Sequence, residues 1–484
     1  MQKHFFSTAS VIALLVAGPA LANDSFVDQI GVGNDAQVNQ TDGNEGKSDI
    51  KQNGEGNHAE VSQAEDPDGS PSFSTPTNVA GINQAGNNSR ARIQQDNPNG
   101  GTGVTNTATI DQDSSGVAQV PPNGVPSGFS LNARIIQNGE GNSSGIVQSG
   151  RPVPDTGSGL TARNDQVGDY NTSTITQRND DADPYSDTDV AQTGNGNIST
   201  TMQRGSNDDI DVVQNGDNNT SDVRQGNRRD MTAAVTQNGD DNMSVVDQLG
   251  RGSTALVDQS GNLQDSTVTQ DVDSVGALAT VTQSGSSNES DVTQTNATMG
   301  TQATVVQSGT GETSTINQDG MSQTATATQS GAGDVSTITQ TGNSNIASAT
   351  QSGSGNSSTI LQGGNTQSAT VTQTGTNGGS SIDQSGAGHT AVLTQSGSGN
   401  MNLMTQTGTG NSATVDQSGS GGMSTIVQSS SGNIANVTQA MMDNTSVVNQ
   451  TGTANTANVW QVVTSNNMST VNQTGSGNMA TVNQ

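Results

Sequence analysis

Side chains able to do chemistry are few in this sequence, and the ones that recur are amides. A glutamine stands at every eleventh residue through Gln307, Gln318, Gln329, Gln340, Gln351, Gln362, Gln373, Gln384, Gln395, Gln406, Gln417, Gln428, Gln439, Gln450 and Gln461. The series opens at Gln29 and Gln40, closes on Gln473 and Gln484, and numbers 38 glutamines. A primary amide is donor and acceptor at once. Stacked at about 4.8 Å, each copy donates to one neighbour and accepts from the other, leaving unpaired groups only at the ends. Asparagines five residues after the glutamine, such as Asn34, Asn411 and Asn478, join the expected structural amide ladder. The chemistry this spacing supports is self-recognition.

Titratable groups offer less. Beyond residue 22 there are two histidines, His58 and His389, both in Gly/Asn-rich turn contexts, which reads as solvated turn residues and not as acid–base catalysts. Asp180, Asp181, Asp183, Asp187 and Asp189 surround Pro184 as an acidic loop. That loop lacks the Asp-x-Asp-x-Asp-Gly spacing and closing Glu of a dedicated calcium loop, so a solvated acidic loop is expected. Cysteine is absent, which removes thiolate metal sites and disulfides. The residues therefore point to no enzyme, no catalytic set, no metal site and no cofactor.

The elements that must position the amides follow from the rest of each interval. Gln406 to Gln417 carries Gly408, Asn411, Ala413 and Val415; Gln29 to Gln40 carries Gly31, Asn34, Ala36 and Val38; Gln473 to Gln484 carries Gly475, Asn478, Ala480 and Val482. Ala/Ser, Val/Ile and Gln alternate with Thr, Ser, Asp or Asn, the period-2 pattern of a strand with one buried face. The Gly/Ser/Asn segment supplies the turn. Eleven residues make one strand and one turn, and two units close a coil of about 22 residues. The expected fold is all-β: a β-solenoid of stacked two-strand coils with two facing parallel sheets. Small inward side chains make its interior thin.

Five intervals are longer than the period: Gln63–Gln84, Gln95–Gln112, Gln112–Gln137, Gln148–Gln166 and Gln177–Gln192. They hold Pro67, Pro71, Pro76, Pro98, Pro121, Pro122, Pro126, Pro152, Pro154 and Pro184, every proline beyond residue 22. Proline cannot donate to a central ladder, so these stretches are expected to be loops bulging from the stack. All 14 Lys/Arg lie at or before Arg251 together with 32 acids, whereas residues 252–484 hold 12 acids and no base. The expected organisation is a loop-decorated section at 23–192 and a near-regular section at 193–484, continuous with it. The whole would span about 90 Å at about 4.8 Å per coil.

Composition alone argues differently. Hydrophobic residues are 27%, aromatic residues 2%, glycines 61, and the formal net charge is −30, which is the profile of a disordered chain. The repeat overrides that profile. The acidity argues against nucleic acid as a partner, since no basic patch is expected to neutralise phosphates. Residues 1–22 read as a secretory signal: Lys3 and His4, an apolar run from Val11 to Ala17, and Ala20-Leu21-Ala22 as the cleavage site. No segment is apolar and long enough to span a bilayer.

The Gln-x-Gly-x-x-Asn-x-Ala-x-x-Gln unit at Gln29–Gln40, Gln52–Gln63, Gln406–Gln417 and Gln473–Gln484 resembles the curlin repeat of bacterial curli fibre subunits. The resemblance implies a secreted functional amyloid on the surface of a Gram-negative bacterium, serving biofilm matrix and adhesion. It implies the chain itself as main partner, with a nucleator subunit and an outer-membrane secretion pore as further ones. Two departures from the family pattern are the larger number of repeats and the start of the repeats at Val27, without a separate Gly-rich leader. The alternative is the same solenoid as a non-polymerising surface adhesin. An ice-binding array is disfavoured because Thr337/Thr339 would stack on Thr359/Leu361, Ser381/Asp383 and Leu403/Thr405.

Overall fold

The computed structural model describes residues 23–41, 46–65, 78–97, 105–114, 130–150, 159–179, 185–298 and 300–484. Residues 1–22, read as a secretory signal, and all ten prolines of the long intervals lie outside the described residues. The described residues form 38 strands, β1–β38 in chain order, from β1 (Asp24–Val32) to β38 (Met479–Asn483). Odd-numbered strands pair with odd and even with even, always parallel and with glutamine opposite glutamine, into two sheets of 19 strands; one register shift falls between Thr295 and Thr298. One odd and one even strand make a coil, giving 18 stacking steps in a β-solenoid.

Strand formation follows the alternation in the sequence. In β25 (Val335–Asn343), Ser336, Ile338 and Gln340 are buried while Thr337 and Thr339 face outward. In β26 (Ile346–Gln351), Ala347, Ala349 and Gln351 are buried, and Ser348 and Thr350 face outward. Thr, Val and Ile suit such a half-buried pleated surface. The inward side chains join into a single core that runs without interruption from Ile50 to Val471, with Ala36, Val38, Ala480 and Val482 packed on its two ends. Ser and Ile or Val of the odd sheet face mainly Ala and Val of the even sheet. Few large hydrophobes suffice because every coil adds its own thin layer.

The two corners of a coil are not equivalent, a distinction that the shared 11-residue unit hides. From Thr313 to Thr409 the chain leaves each odd strand extended through the glycine two residues after the glutamine, whereas between residues 130 and 286 it is the even strands that do so, through Gly168, Gly194, Gly216 and Gly261. At such a corner Gly364 has φ +121°, and a Cβ would collide with the carbonyl oxygen of Gly386 on the next coil, so only glycine fits. The other corner turns through short bridges, such as Ala332 with Ser354 after even strands and Ser206 with Arg229 after odd ones. Long intervals do not disturb the register. Gln63 of β4 (His58–Glu65) lies opposite Gln95 of β6 (Arg90–Asn97), and Gln95 lies opposite Gln137 of β8 (Ser130–Asn138). The sheet also continues past residue 192, where β12 (Tyr185–Thr193) pairs with β14 (Asp208–Asn215).

Candidate self-assembly surface

The glutamines stack into two columns. Gln29, Gln318, Gln340, Gln362, Gln384, Gln406, Gln428, Gln450 and Gln473 belong to the odd sheet; Gln40, Gln307, Gln329, Gln351, Gln373, Gln395, Gln417, Gln439, Gln461 and Gln484 belong to the even sheet. Within a column each amide nitrogen donates to the amide oxygen of the next coil. Gln318 Nε2 donates to Gln340 Oε1 at 2.9 Å, and Gln340 Nε2 to Gln362 Oε1 at 2.8 Å. The second N–H of Gln340 reaches the Thr324 carbonyl at 3.0 Å. The links start with Gln29 to Gln52 and Gln40 to Gln63, both 2.6 Å, and end with Gln450 to Gln473 at 2.8 Å and Gln461 to Gln484 at 3.0 Å. All run in one sense, nitrogen toward the C-terminal coil, so the stack is polar.

The asparagines work in another mode. Asn34 Oδ1 accepts from the backbone N–H of Asn57 at 3.0 Å, and its Nδ2 donates to the carbonyls of Ile30 and Gly54. Asn411 Oδ1 accepts from Asn433 N at 2.9 Å while its Nδ2 donates to Thr407 and Ser430 carbonyls. Asn478 N and Nδ2 both donate to Asn455 Oδ1, at 3.1 and 3.0 Å. Whereas the glutamines link side chain to side chain, the asparagines chiefly satisfy corner backbone.

Besides the buried Asp208, whose Oδ1 accepts from Met231 N at 3.0 Å, three further members of these corner columns are ionisable. His389 occupies an asparagine position and is fully buried, which corrects its reading as a solvated turn residue. Its Nδ1 accepts from Asn411 N at 3.3 Å, so Nε2 carries the hydrogen and faces the Ser385 carbonyl at 3.1 Å. Burial pushes its pKa down and keeps it neutral. Glu312 and Asp334 are successive members of the other corner column, both fully buried. Burial raises both carboxyls above their ordinary values; Asp334 adds to the shift of Glu312, and hydrogen bonds from Gly309 and Asn356 oppose it. The position five residues after Gln384, Gln307 and Gln329 was the sequence signal for all three.

His58 opens β4 on the even-sheet exterior, with Nδ1 3.0 Å from Asp35 Oδ2. Asp187 and Asp189 stand on strand β12, facing outward, and not in a loop; their spacing of five and three residues before Gln192 is the strand phase. Asp180, Asp181, Asp183 and Pro184 lie outside the described residues. The outward threonines are irregular on the odd sheet, as the pairing of Thr339 with Leu361 shows, while on the even sheet Thr328, Thr350, Thr372 and Thr394 stack in succession.

The first and last described coils carry matching inward residues. β37 (Met468–Ser476) turns Ser469, Val471 and Gln473 inward, and β1 has Ser25, Val27 and Gln29 at the same phases. Ala480, Val482 and Gln484 correspond to Ala36, Val38 and Gln40 of β2 (Asp35–Thr41), and Gly475 and Asn478 to Gly31 and Asn34. Three stretches, residues 229–261, 342–375 and 381–408, match the family model of the curlin associated repeat. The chain carries curlin associated repeats. The glutamine links extend well beyond the matched stretches, to the first and last described coils. No curated protein matches the chain. Among the described residues no helix is long and apolar enough to cross a membrane.

Proposed function

We propose that this chain is a secreted structural subunit of a curli-like amyloid fibre, serving biofilm matrix and surface adhesion, and that it polymerises by stacking the first coil of one copy on the last coil of another. The carrying observation is the complementarity of those coils. The last coil presents Gln473 and Gln484, whose Nε2 groups donate only to the Thr456 and Met468 carbonyls. The first coil presents the amide oxygen of Gln29 and that of Gln40, which also accepts from Ser25 Oγ at 2.7 Å, and these open the two ladders. Val27 is 46% exposed, whereas Ile50, next in its column, is 0% exposed. A second copy laid on β1 and β2 extends the ladder, buries the apolar layer and pairs the strand edges.

The curlin repeats support the fibre reading and, with it, export to the cell surface, a nucleator subunit and a secretion pore as partners. The chain's work is mechanical and needs no catalytic site or cofactor. The test is to refold residues 23–484 from denaturant and record fibre diffraction. Reflections at about 4.7 Å and about 10 Å are expected. A product that stays monomeric for days at high concentration overturns the fibre and leaves a monomeric adhesin rod.

A further inference from the structure

The outer face of the even sheet is charged in two blocks of opposite sign. β6, β8 and β10 (Gly159–Val167) turn out Arg90, Arg92, Arg134 and Arg163; Arg92, Arg134 and Arg163 stack in one column. The next two strands, β12 and β14, turn out Asp187, Asp189, Asp209 and Asp211 on the same columns. Like charges stacked at the strand spacing of about 4.8 Å repel. Internal pairing relieves only part of this. Arg163 meets Asp189 at 2.9 Å, Arg134 meets Asp165 at 3.4 Å and Arg92 meets Glu60 at 3.6 Å. Among the described residues Arg90, Asp187, Asp209 and Asp211 form no ion pair. Burial and the neighbouring Asp189 raise the carboxyl pKa of Asp187, Asp209 and Asp211. Beyond β14 the face is sparsely charged: β16 (Thr232–Asn238) presents Thr232, Ala234 and Thr236.

We infer that two copies of this chain pair laterally through this face, with their solenoid axes antiparallel. A two-fold axis lying between the faces, parallel to the strands and level with the gap between β10 and β12, reverses coil order while keeping strand direction. It sets Arg163 against the second copy's Asp189 and Arg134 against its Asp211, and the same contacts recur by symmetry. A two-fold axis along the solenoid keeps coil order and sets the arginine block on the arginine block. Charge order thus selects antiparallel pairing and rejects parallel pairing. In a fibre the same dipolar face returns once per copy, so the pairing would join filaments of opposite polarity.

The chain contains no cysteine, which makes a direct test possible. Val167 on β10 and Thr193 on β12 are exposed, uncharged and at the same phase, so the antiparallel pair brings one chain's Val167 to the other's Thr193. Full-length mature Val167→Cys and Thr193→Cys chains are mixed in equal amounts and briefly treated with a short bifunctional thiol cross-linker before fibres appear. The mixed dimer should exceed either like-with-like dimer by about fivefold or more, and fall several-fold between about 20 mM and about 500 mM salt. Arg134→Glu in both chains should abolish the excess, and adding Asp211→Arg should restore it. Equal yields, an excess of like-with-like dimers, no cross-link, or failure of the charge swap to restore pairing overturns the inference. Because the readout is a covalent dimer formed before fibres, a chain that never polymerises can still give it. A chain that polymerises without it loses only the lateral pairing.

Discussion

The coils up to Arg251 and the coils after it share an interior and differ in nearly everything outside it. In the later section the next glutamine of a column is 22 to 24 residues on, 22 from Gln318 to Gln340 and from Gln340 to Gln362 and 24 from Gln259 to Gln283. In the earlier section it is 32 residues on between Gln52 and Gln84 and 42 between Gln95 and Gln137. The hydrogen bonds do not register the difference: 2.8 Å in both of the long cases, 2.8–2.9 Å in the regular ones. Every Lys and Arg lies in the earlier section, and none in the later. Coil register is therefore set by the inward residues, while corner length and outer charge vary freely. Closing a longer loop adds little, since each doubling costs only about 0.6 kcal/mol.

If the interior is common, the same core lesion should cost the same in both sections. Gln340→Leu removes the acceptor of Gln318, the donor to Gln362 and the amide bond to the Thr324 carbonyl. Gln166→Leu does likewise to Gln137, Gln192 and the Ser143 carbonyl. Each orphaned buried group costs about 1–3 kcal/mol. Both losses should be large, because several groups are orphaned at once, and the urea midpoints should fall by similar amounts. A much smaller effect for Gln166→Leu would mean that the interrupted coils are held by something other than the ladder.

A second difference is where raised carboxyls sit: Asp187, Asp209 and Asp211 of the earlier section face outward, whereas the later section holds a pair inside a corner column. Glu312 and Asp334 have raised carboxyl pKa values in the fold, so folding favours their protonated forms. Their contribution to stability is full below the unfolded values, near 4.5 and 3.8, and is lost as pH rises through the higher folded values. Glu312→Gln with Asp334→Asn should raise stability at neutral pH and flatten that part of the curve, as measured by urea midpoints from pH 3 to pH 7. An unchanged slope would show that the pair is hydrated and outside the column. The effect should be smaller than that of a broken glutamine ladder, because the asparagine positions on either side remain satisfied.

Most of this architecture can be read from spacing because inward positions repeat while outward ones drift. The glutamine ladder, the two facing sheets and the 22-residue coil follow from one alternation and one period. The inequivalent corners do not, because Gln-x-Gly-x-x-Asn recurs at both, and only pairing reveals that one stays extended past the glycine. The asparagines link side chain to side chain only in part, as Asn433 to Asn411 and Asn478 to Asn455, because their short side chains also reach the corner backbone. For His389 and Asp187 local composition misleads, whereas their distance from the nearest glutamine already fixes one in a buried corner and the other on an outward strand position. Phase is the better guide than neighbours.

The smallest effect should come from the outer charges of the earlier section. Arg163 Nη1 lies 2.9 Å from Asp189 Oδ2, with the two side chains 46% and 42% exposed, so solvent screens the pair heavily. Arg163→Ala should cost about 0.2–1 kcal/mol in the isolated chain, and less at high salt. The loss would come partly from the unneutralised carboxylate it leaves beside Asp187, which also feels Arg163. Equilibrium unfolding of the isolated chain at low and high salt measures it, with the glutamine variants as reference. A loss above about 2 kcal/mol that survives high salt would place Arg163 among the groups that hold the coils together, and the separation of a fixed interior from a free exterior would fail where charge is densest.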